Sequence, residues 1–180
     1  MVPAPKRWSL IAALASDVEL LLLRGHAEEA TAAGRGQRGN EAAAGYYRKV
    51  LGISPDDFAA HHYLIHAYEA IGRIDQALEH GAAYARLAPQ IPHAHHMYAH
   101  DLRRVGRVDE AIDAFVKTYD LEKAYYAAEN IPAGLDWHHG HNLDLLSTAY
   151  QHQGRMRLAA RHMLESHALP AIMDNREFNL

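Results

Sequence analysis

Residues 61–78 read HHYLIHAYEAIGRIDQAL, and residues 95–112 read HHMYAHDLRRVGRVDEAI. The second stretch follows the first by thirty-four residues and repeats its pattern of residue types, including three histidines. A period of this length is typical of a helix-turn-helix unit that cannot bury its own apolar face and stacks on copies of itself. The sequence therefore predicts an all-α fold, a right-handed superhelix of antiparallel helix pairs.

The boundaries of the repeats follow from the glycines, because Gly72 and Gly106 mark the turn inside each unit. Pro55 lies one period before Pro89, which adds a degenerate first repeat whose glycine-rich first helix is expected to be short or irregular. The predicted organisation is one domain, 1–180, with an N-terminal helix at 8–23, repeats at 24–57, 58–91, 92–125 and 140–173, an insertion at 126–139 and a tail at 174–180.

The fourth repeat arrives late. Gly154 follows Gly106 by forty-eight residues, fourteen more than one period. An insertion in a repeat array is accommodated as a loop or an extended helix at one edge, often on the binding face. We expect three aromatic residues around this insertion to form a wall over that face: Tyr125, Tyr126 and Trp137.

Composition narrows the classes of function. The chain is 49% hydrophobic and 22% charged, has a formal charge of -4 at pH 7 and contains no cysteine, so thiolate metal sites and thiol nucleophiles are excluded. The sequence contains no lysine- or arginine-rich run of the kind that binds a nucleic-acid backbone. No apolar stretch approaches the roughly 20 residues that span a bilayer. Neither nucleic acid nor a membrane is expected as a partner. The expected location is the cytoplasm, although a short apolar run after Lys6 and Arg7 leaves export open.

The period and its consensus residues resemble the tetratricopeptide repeat (TPR). In that family the first helix of each unit lines a concave groove, and positions 2, 5, 9 and 12 of the repeat face into it. His61 and His95 fall at position 4, a packing position. The resemblance implies a groove lined mostly by ionisable side chains, which are the candidate ligand-binding residues: His62, His66, Glu69, His93, His96, His100, Arg103, His141 and Asp144.

The histidines at these positions also have the spacing of metal ligands. His62 with His66, and His96 with His100, are four residues apart, which puts both rings of a pair on one helix face. A divalent transition metal, namely Zn, Fe, Cu or Ni, is therefore one interpretation, and a solvated groove without a metal is the other. The candidate metal ligands are His62, His66, His96, His100 and His141, with Glu69 and Asp144 as candidate bases if the site is catalytic.

Three segments carry a narrower resemblance. HHYLIHAYE, HAHHMYAHDLRRVGR and HNLDLL are similar to the motifs HYYIHAxE, HMPSHIYxRxGR and HNLHFL of a largely uncharacterised group of bacterial TPR proteins. Tyr98 replaces the proline of the middle motif, and Asp144 replaces the second histidine of the last one. The similarity extends to Asn142, which is not one of the positions that counting places in the groove. The resemblance implies a shared histidine-lined pocket and no particular reaction.

Three functions remain open on the sequence alone. The favoured one is a ligand-binding TPR protein whose groove holds a small anionic ligand or a peptide. The second is a metal-dependent enzyme or metal-binding protein that uses the same histidines, and the third is a scaffold for another protein. No nucleotide-binding glycine loop or nucleophile elbow points to an enzyme class, and the pattern leaves self-association open.

Overall fold

The computed structural model describes residues 16–32 and 37–169, and no strand occurs among them. Residues 8–15 of the predicted N-terminal helix, the run after Lys6 and Arg7, and the tail at 174–180 lie outside this range. None of the helices in the described residues combines the length and the apolar character that crossing a bilayer requires. The helices are α1 (Val18–Ala32), α2 (Gln37–Ile53), α3 (Phe58–Ala70), α4 (Ile74–Leu87), α5 (Pro92–Arg104), α6 (Val108–Glu129), α7 (Trp137–His152) and α8 (Met156–Ala168), with a 3-10 turn at Ala133–Leu135.

The chain divides into two compact units between Leu87 and Ala88. The first unit contains α1 to α4 and the second contains α5 to α8. Within each unit every helix packs against the next one in the chain, and in the second unit α5 also contacts α7. Each unit therefore consists of two successive helix pairs, as the thirty-four-residue period predicts.

The same glycine turn closes three of the helix pairs. Gly72, Gly106 and Gly154 have φ angles of 77°, 83° and 69°, a left-handed conformation that is strained for residues with a Cβ atom. The backbone N–H of the arginine after each glycine donates to a carbonyl five residues earlier, on Tyr68, Leu102 or Tyr150. This pattern is a Schellman motif, and it confirms the turns predicted at these glycines.

Small residues at the helix crossings let the paired helices approach closely. Ala43, Ala77 and Ala111 are fully buried and Ala159 is 2% exposed, each at the position where the repeat requires a small side chain. Larger apolar side chains complete the two cores. In the first unit they include Tyr47, Val50, Leu64 and Ile65, and in the second Leu102, Phe115, Leu143 and Leu146.

The first repeat differs from its predicted form. α1 continues without a break across residues 23 and 24, so residues 18–23 belong to the first helix pair and not to a separate N-terminal helix. Gly25, expected to weaken this helix, instead makes room for the next one. A Cβ atom at this position would lie 2.6 Å from Cζ of the fully buried Tyr47 ring, so the glycine permits close packing of α2 on α1.

The insertion is built mainly as extra helix. α6 has 22 residues, whereas α4 and α8, the corresponding second helices, have 14 and 13. α6 therefore runs to Glu129, past the repeat boundary predicted at residue 125, and ends at Asn130 in the left-handed conformation with φ 54°. The 3-10 turn then leads to Asp136, whose side chain caps α7 by accepting a hydrogen bond from the His138 backbone N–H.

Two glycine-to-alanine substitutions in the first unit should change stability in opposite directions. Gly25→Ala should lower the free energy of unfolding by about 1–3 kcal/mol, because the new methyl group collides with the immobile Tyr47 ring. Gly45→Ala, in the interior of α2 with no heavy atom within 4 Å of its Cβ position, should raise it by up to about 1 kcal/mol. Urea denaturation of the two variants measures the difference, and equal shifts would show that Tyr47 does not require the glycine.

Candidate functional site

The predicted histidine pair on α3 is brought together in the first unit. The Nε2 atoms of His62 and His66 lie 3.0 Å apart, and Nδ1 of His66 lies 3.9 Å from Oε2 of Glu69. The His62 ring also stacks on Tyr84, with ring centroids 5.2 Å apart. This separation fits an N–H···N hydrogen bond, which needs a proton on one of the two nitrogens, and it equally fits two lone pairs directed at one metal ion.

His61 and His95 make the same contact in their respective units. Nε2 of His61 lies 3.2 Å from the Pro55 carbonyl oxygen, and Nε2 of His95 lies 3.0 Å from that of Pro89. Because a carbonyl oxygen only accepts, Nε2 carries the proton in both rings. The second copy therefore repeats a structural hydrogen bond six residues back along the chain, which agrees with the packing role predicted for position 4.

His61 has a further partner within the first unit. Its Nδ1 lies 2.8 Å from Nδ1 of His80, and with Nε2 of His61 donating to Pro55 it is the His80 ring that donates here. Burial first, and then the adjacent His61 and Arg48, lower the pKa of His80 to about 4. The folded-state pKa lies below the ordinary value, so the contribution of neutral His80 to stability is present above pH 6.5 and is lost as the pH falls toward 4.

In the second unit the predicted residues form a cluster around His96. Its ring centroid lies 5.8 Å from that of His93, 6.1 Å from that of His100 and 5.1 Å from that of His141. His93, His96 and His100 lie on α5, whereas His141 lies on α7. His96 is only 4% exposed, so its ring is largely buried beneath its neighbours.

Asn142 fixes the tautomer of His96. The Asn142 amide nitrogen donates to the Phe115 backbone carbonyl at 3.1 Å, so its Oδ1 is the atom that faces Nδ1 of His96 at 3.0 Å. Nδ1 must then carry the proton, and in the neutral ring the lone pair lies on Nε2. The orientation of this imidazole is therefore set by a fully buried amide.

Two rings of the cluster have lowered pKa values. Burial first, and then the neighbouring His141, His93 and His100, lower the pKa of His96 to about 3 against the opposing hydrogen bond to Asn142. The pKa of His141 is also lowered, by burial first and then by His100 and His138. The remaining candidates of this unit, Arg103 and Asp144, act on His141 in opposite directions, since Asp144 raises its pKa and Arg103 lowers it.

A cavity of about 380 Å³ lies beside the cluster, also within the second unit. Apolar and aromatic side chains from α5 and α6 form most of its wall, and two carboxylates and three imidazoles provide polar groups. The residues that line the cavity are Gln90, Ile91, Pro92, His93, His96, Leu121, Glu122, Tyr125, Tyr126, Asp136 and His138. Asp144, His100 and His141 are not among them.

Two hydrogen-bonded groups hold the polar side of this cavity. The Tyr126 hydroxyl donates to Oδ2 of Asp136 at 2.7 Å, and Oδ1 of Asp136 accepts from the His138 backbone N–H at 2.9 Å. Behind them, Oε2 of Glu122 lies 2.7 Å from Nδ1 of His139, and both side chains are almost fully buried. The His138 side chain, whose Nδ1 lies 3.5 Å from Oδ1 of Asp136, contributes most to lowering the pKa of Asp136 to about 2, and the two hydrogen bonds to Asp136 add to this effect. Asp136 is therefore ionised at neutral pH.

Sequence reasoning anticipated the aromatic wall but missed its polar partners. Tyr125 and Tyr126 line the cavity, whereas Trp137 stacks on His138 with ring centroids 3.7 Å apart. Asp136, His138 and His139 lie in the insertion, where repeat counting assigns no position, and Glu122 lies near the end of the repeat at 92–125, outside the positions expected to face the groove. The available signal was the run WHHGH at residues 137–141, which places three histidines within five residues.

Neither unit, taken by itself, brings three possible metal ligands together among its described residues. Among the described residues of each unit, no three histidine or carboxylate side chains bring ligand atoms within 4.8 Å of one another. Glu69 is near His66 in the first unit, and Asp144 is exposed on α7, so neither candidate base faces the cavity.

The neutral state of His96 can be tested by NMR titration. In the wild type we expect the His96 ring resonances to be unchanged between pH 8 and pH 5, because its pKa is about 3. Asn142→Asp should move the transition upward, since a carboxylate favours the imidazolium form of the ring it faces. The wild-type contribution of His96 to stability is complete above pH 6.5 and falls as the pH approaches 3. A His96 resonance that titrates near pH 6.5 in the wild type would contradict this arrangement.

Comparison with known proteins supports the fold. No protein-family model matches the chain, and no curated protein matches it. Solved structures of MamA are similar to the chain. "MamA 41-end from Desulfovibrio magneticus RS-1" has a TM-score of 0.70 at 19% identity, over 88% of this chain and 78% of that one. "MamA RS-1 ArsTM double mutant" has 0.69 at 19% (86% and 75%), and "MamA AMB-1 P212121" has 0.64 at 23% (87% and 75%). These similarities show that the chain is an all-α helical repeat protein with a TPR-like fold.

Proposed function

We propose that this helical repeat protein is a binding module whose second unit holds a segment of a partner peptide in its cavity. The observation that carries the proposal is the cavity itself, which combines aromatic walls with a few fixed polar groups. Its volume of about 380 Å³ lies in the range of ligand-binding pockets. It is large enough for one side chain or a small molecule.

The rim of the cavity supports a peptide as the ligand. Ile91 and Tyr125 line the cavity and are 40% and 54% exposed. Exposed apolar residues gathered at a concave site are typical of surfaces that anchor a partner side chain. A peptide would fill the cavity with one side chain and cover these residues with its neighbours.

The small anionic ligand that the sequence favours remains a prediction with weaker support here. The cavity is lined by the carboxylates of Glu122 and Asp136, and none of its lining residues is lysine or arginine. His96 is neutral at physiological pH because of its lowered pKa and contributes no positive charge. Of the two ligands expected from the sequence, the peptide agrees better with this lining.

Selection from a random peptide library displayed on phage tests the proposal. We expect peptides selected on the full 180-residue chain to bind the Tyr125→Arg variant at least about tenfold more weakly, because the new side chain fills the mouth of the cavity. Leu164→Arg is the matched control, since Leu164 is 71% exposed on α8 and does not line the cavity. Calorimetry of the selected peptides measures the affinities. Failure to select any binder, or equal binding to both variants, would overturn the proposal.

Metal binding is the second candidate, and one observation favours it. His96 donates its Nδ1 proton to Asn142, which is the way a metal-ligating histidine is usually oriented by a hydrogen-bonded neighbour. Its Nε2 lone pair is then available to an ion, and its neutrality at physiological pH suits a ligand.

Elemental analysis of untagged protein separates the two candidates. On the binding-module proposal we expect a zinc, iron, copper and nickel content near zero. A content of about one equivalent, lost in His96→Ala and in the more exposed His141→Ala, would instead assign the cluster to a metal. Circular dichroism of both variants checks that the helices remain folded.

A further inference from the structure

We infer that the cavity of the second unit binds an organic cation, a positively charged nitrogen on an apolar stem, such as the side chain of a lysine or arginine. This inference rests on the proposed binding function and names the chemistry of its ligand. It is carried by four features of the cavity: a fixed carboxylate, a second and more deeply buried carboxylate, a lining without lysine or arginine, and two tyrosine rings in the wall.

Asp136 is a fixed negative charge at the wall of the cavity. Its two oxygens are held by the Tyr126 hydroxyl at 2.7 Å and by the His138 backbone N–H at 2.9 Å, so the carboxylate cannot swing away from the cavity. Its side chain is still 36% exposed. Each carboxylate oxygen accepts more than one hydrogen bond, and an ammonium or guanidinium group is the donor that gains most from the remaining capacity.

Glu122 adds negative potential from a deeper position. Its side chain is 4% exposed, lines the cavity and pairs with His139 through a 2.7 Å contact between Oε2 and Nδ1. His139 itself is not a lining residue. A carboxylate that faces the cavity while its partner lies behind it leaves the cavity side of the pair the more negative one.

No permanent cation balances these carboxylates within the lining. The lining residues include no lysine or arginine, and the lowered pKa of His96 keeps that ring neutral at physiological pH. His138, which also lines the cavity, pairs with Asp136 through a ring nitrogen, since its Nδ1 lies 3.5 Å from Oδ1 of the carboxylate. An anion would therefore meet like charge, and a neutral ligand would leave the potential unused. A cation is the ligand that this distribution of charge favours.

The tyrosines supply the second half of the recognition. The ring centroids of Tyr125 and Tyr126 are 6.0 Å apart and the ring planes are inclined at 62°, so the two rings present different faces and edges to one space. The face of an aromatic ring attracts a cation. Ile91, Pro92 and Leu121 line the same cavity and provide apolar surface for the methylene groups of the stem.

Three probes of similar size separate the effect of charge from the effect of shape: n-butylammonium, n-butanol and butyrate. We expect NMR titrations that follow the Tyr125 and Tyr126 ring resonances to give the tightest binding for n-butylammonium, weaker binding for n-butanol and none for butyrate. Equal affinity for the ammonium and the alcohol, or preferential binding of butyrate, would overturn the inference.

Substitution of Asp136 tests the charge directly. Asp136→Asn keeps a side chain able to cap α7 and should weaken n-butylammonium binding about tenfold while leaving n-butanol binding unchanged. Asp120→Asn is the matched control, because Asp120 is an exposed carboxylate of α6 that does not line the cavity. If Asp136→Asn does not fold, Tyr125→Leu at the exposed rim provides the same test, since it removes the ring face and keeps the apolar contact. An unchanged ammonium affinity in the folded variants would overturn the inference.

The peptides selected on phage distinguish this inference from the proposed function. We expect each to lose at least about tenfold in affinity when its lysines or arginines are replaced by norleucine. Peptides that bind at the cavity without any such dependence would overturn the cation inference and leave the binding function intact. Binding of n-butylammonium without any peptide binder would support the cation site and point to a free amine as its ligand.

Discussion

A single buried amide joins three helices of the second unit, and the histidine cluster depends on it. Asn142 projects from α7, donates to the Phe115 carbonyl of α6 and accepts from His96 of α5. Each group is buried, so the loss of one hydrogen bond would leave a desolvated polar atom without compensation. The same contacts that hold the helices together also decide which nitrogen of His96 is protonated. Packing and site chemistry are therefore one constraint in this unit.

The length of α6 determines what lies beside that cluster. A second helix of 13 or 14 residues, as in α4 and α8, would end before Tyr125 and Tyr126. The extension carries both tyrosines, and Glu122 lies within the same stretch. The turn that follows returns the chain to Asp136, which caps α7 and accepts from Tyr126 at the same time. The insertion thus creates the cavity, although the repeat pattern treats it as an interruption.

The period of the sequence was sufficient to predict the fold, because it specifies local features. A glycine at a fixed position of the repeat predicts each left-handed turn, at Gly72, Gly106 and Gly154. An alanine at another fixed position predicts the helix crossings at Ala77 and Ala111. The start predicted for the first repeat, residue 24, falls inside α1, which begins at Val18. The role of Gly25 depends on Tyr47, twenty-two residues later, and no local pattern connects the two. A glycine that weakens an isolated helix can be required when another ring packs against it.

The candidate site was predictable in its members more than in its chemistry. Counting placed His93, His96, His100 and His141 among the candidate site residues, and their rings lie near one another around His96 in the second unit. It could not give the degree of burial, and burial decides the charge of an imidazole. His96 was expected to line an open groove and to attract anions when protonated, yet its pKa of about 3 keeps it neutral.

The sign of the cavity's charge therefore comes from residues that the repeat does not specify. The lining contains no lysine or arginine to balance Asp136 and Glu122, and His96 is neutral at physiological pH. Both carboxylates are supplied by the extended helix and the turn after it. A surface rich in histidine is usually a source of positive charge below neutral pH. Here burial removes that charge, and the same proximity of helices that lowers the pKa of His96 gives the cavity a negative character.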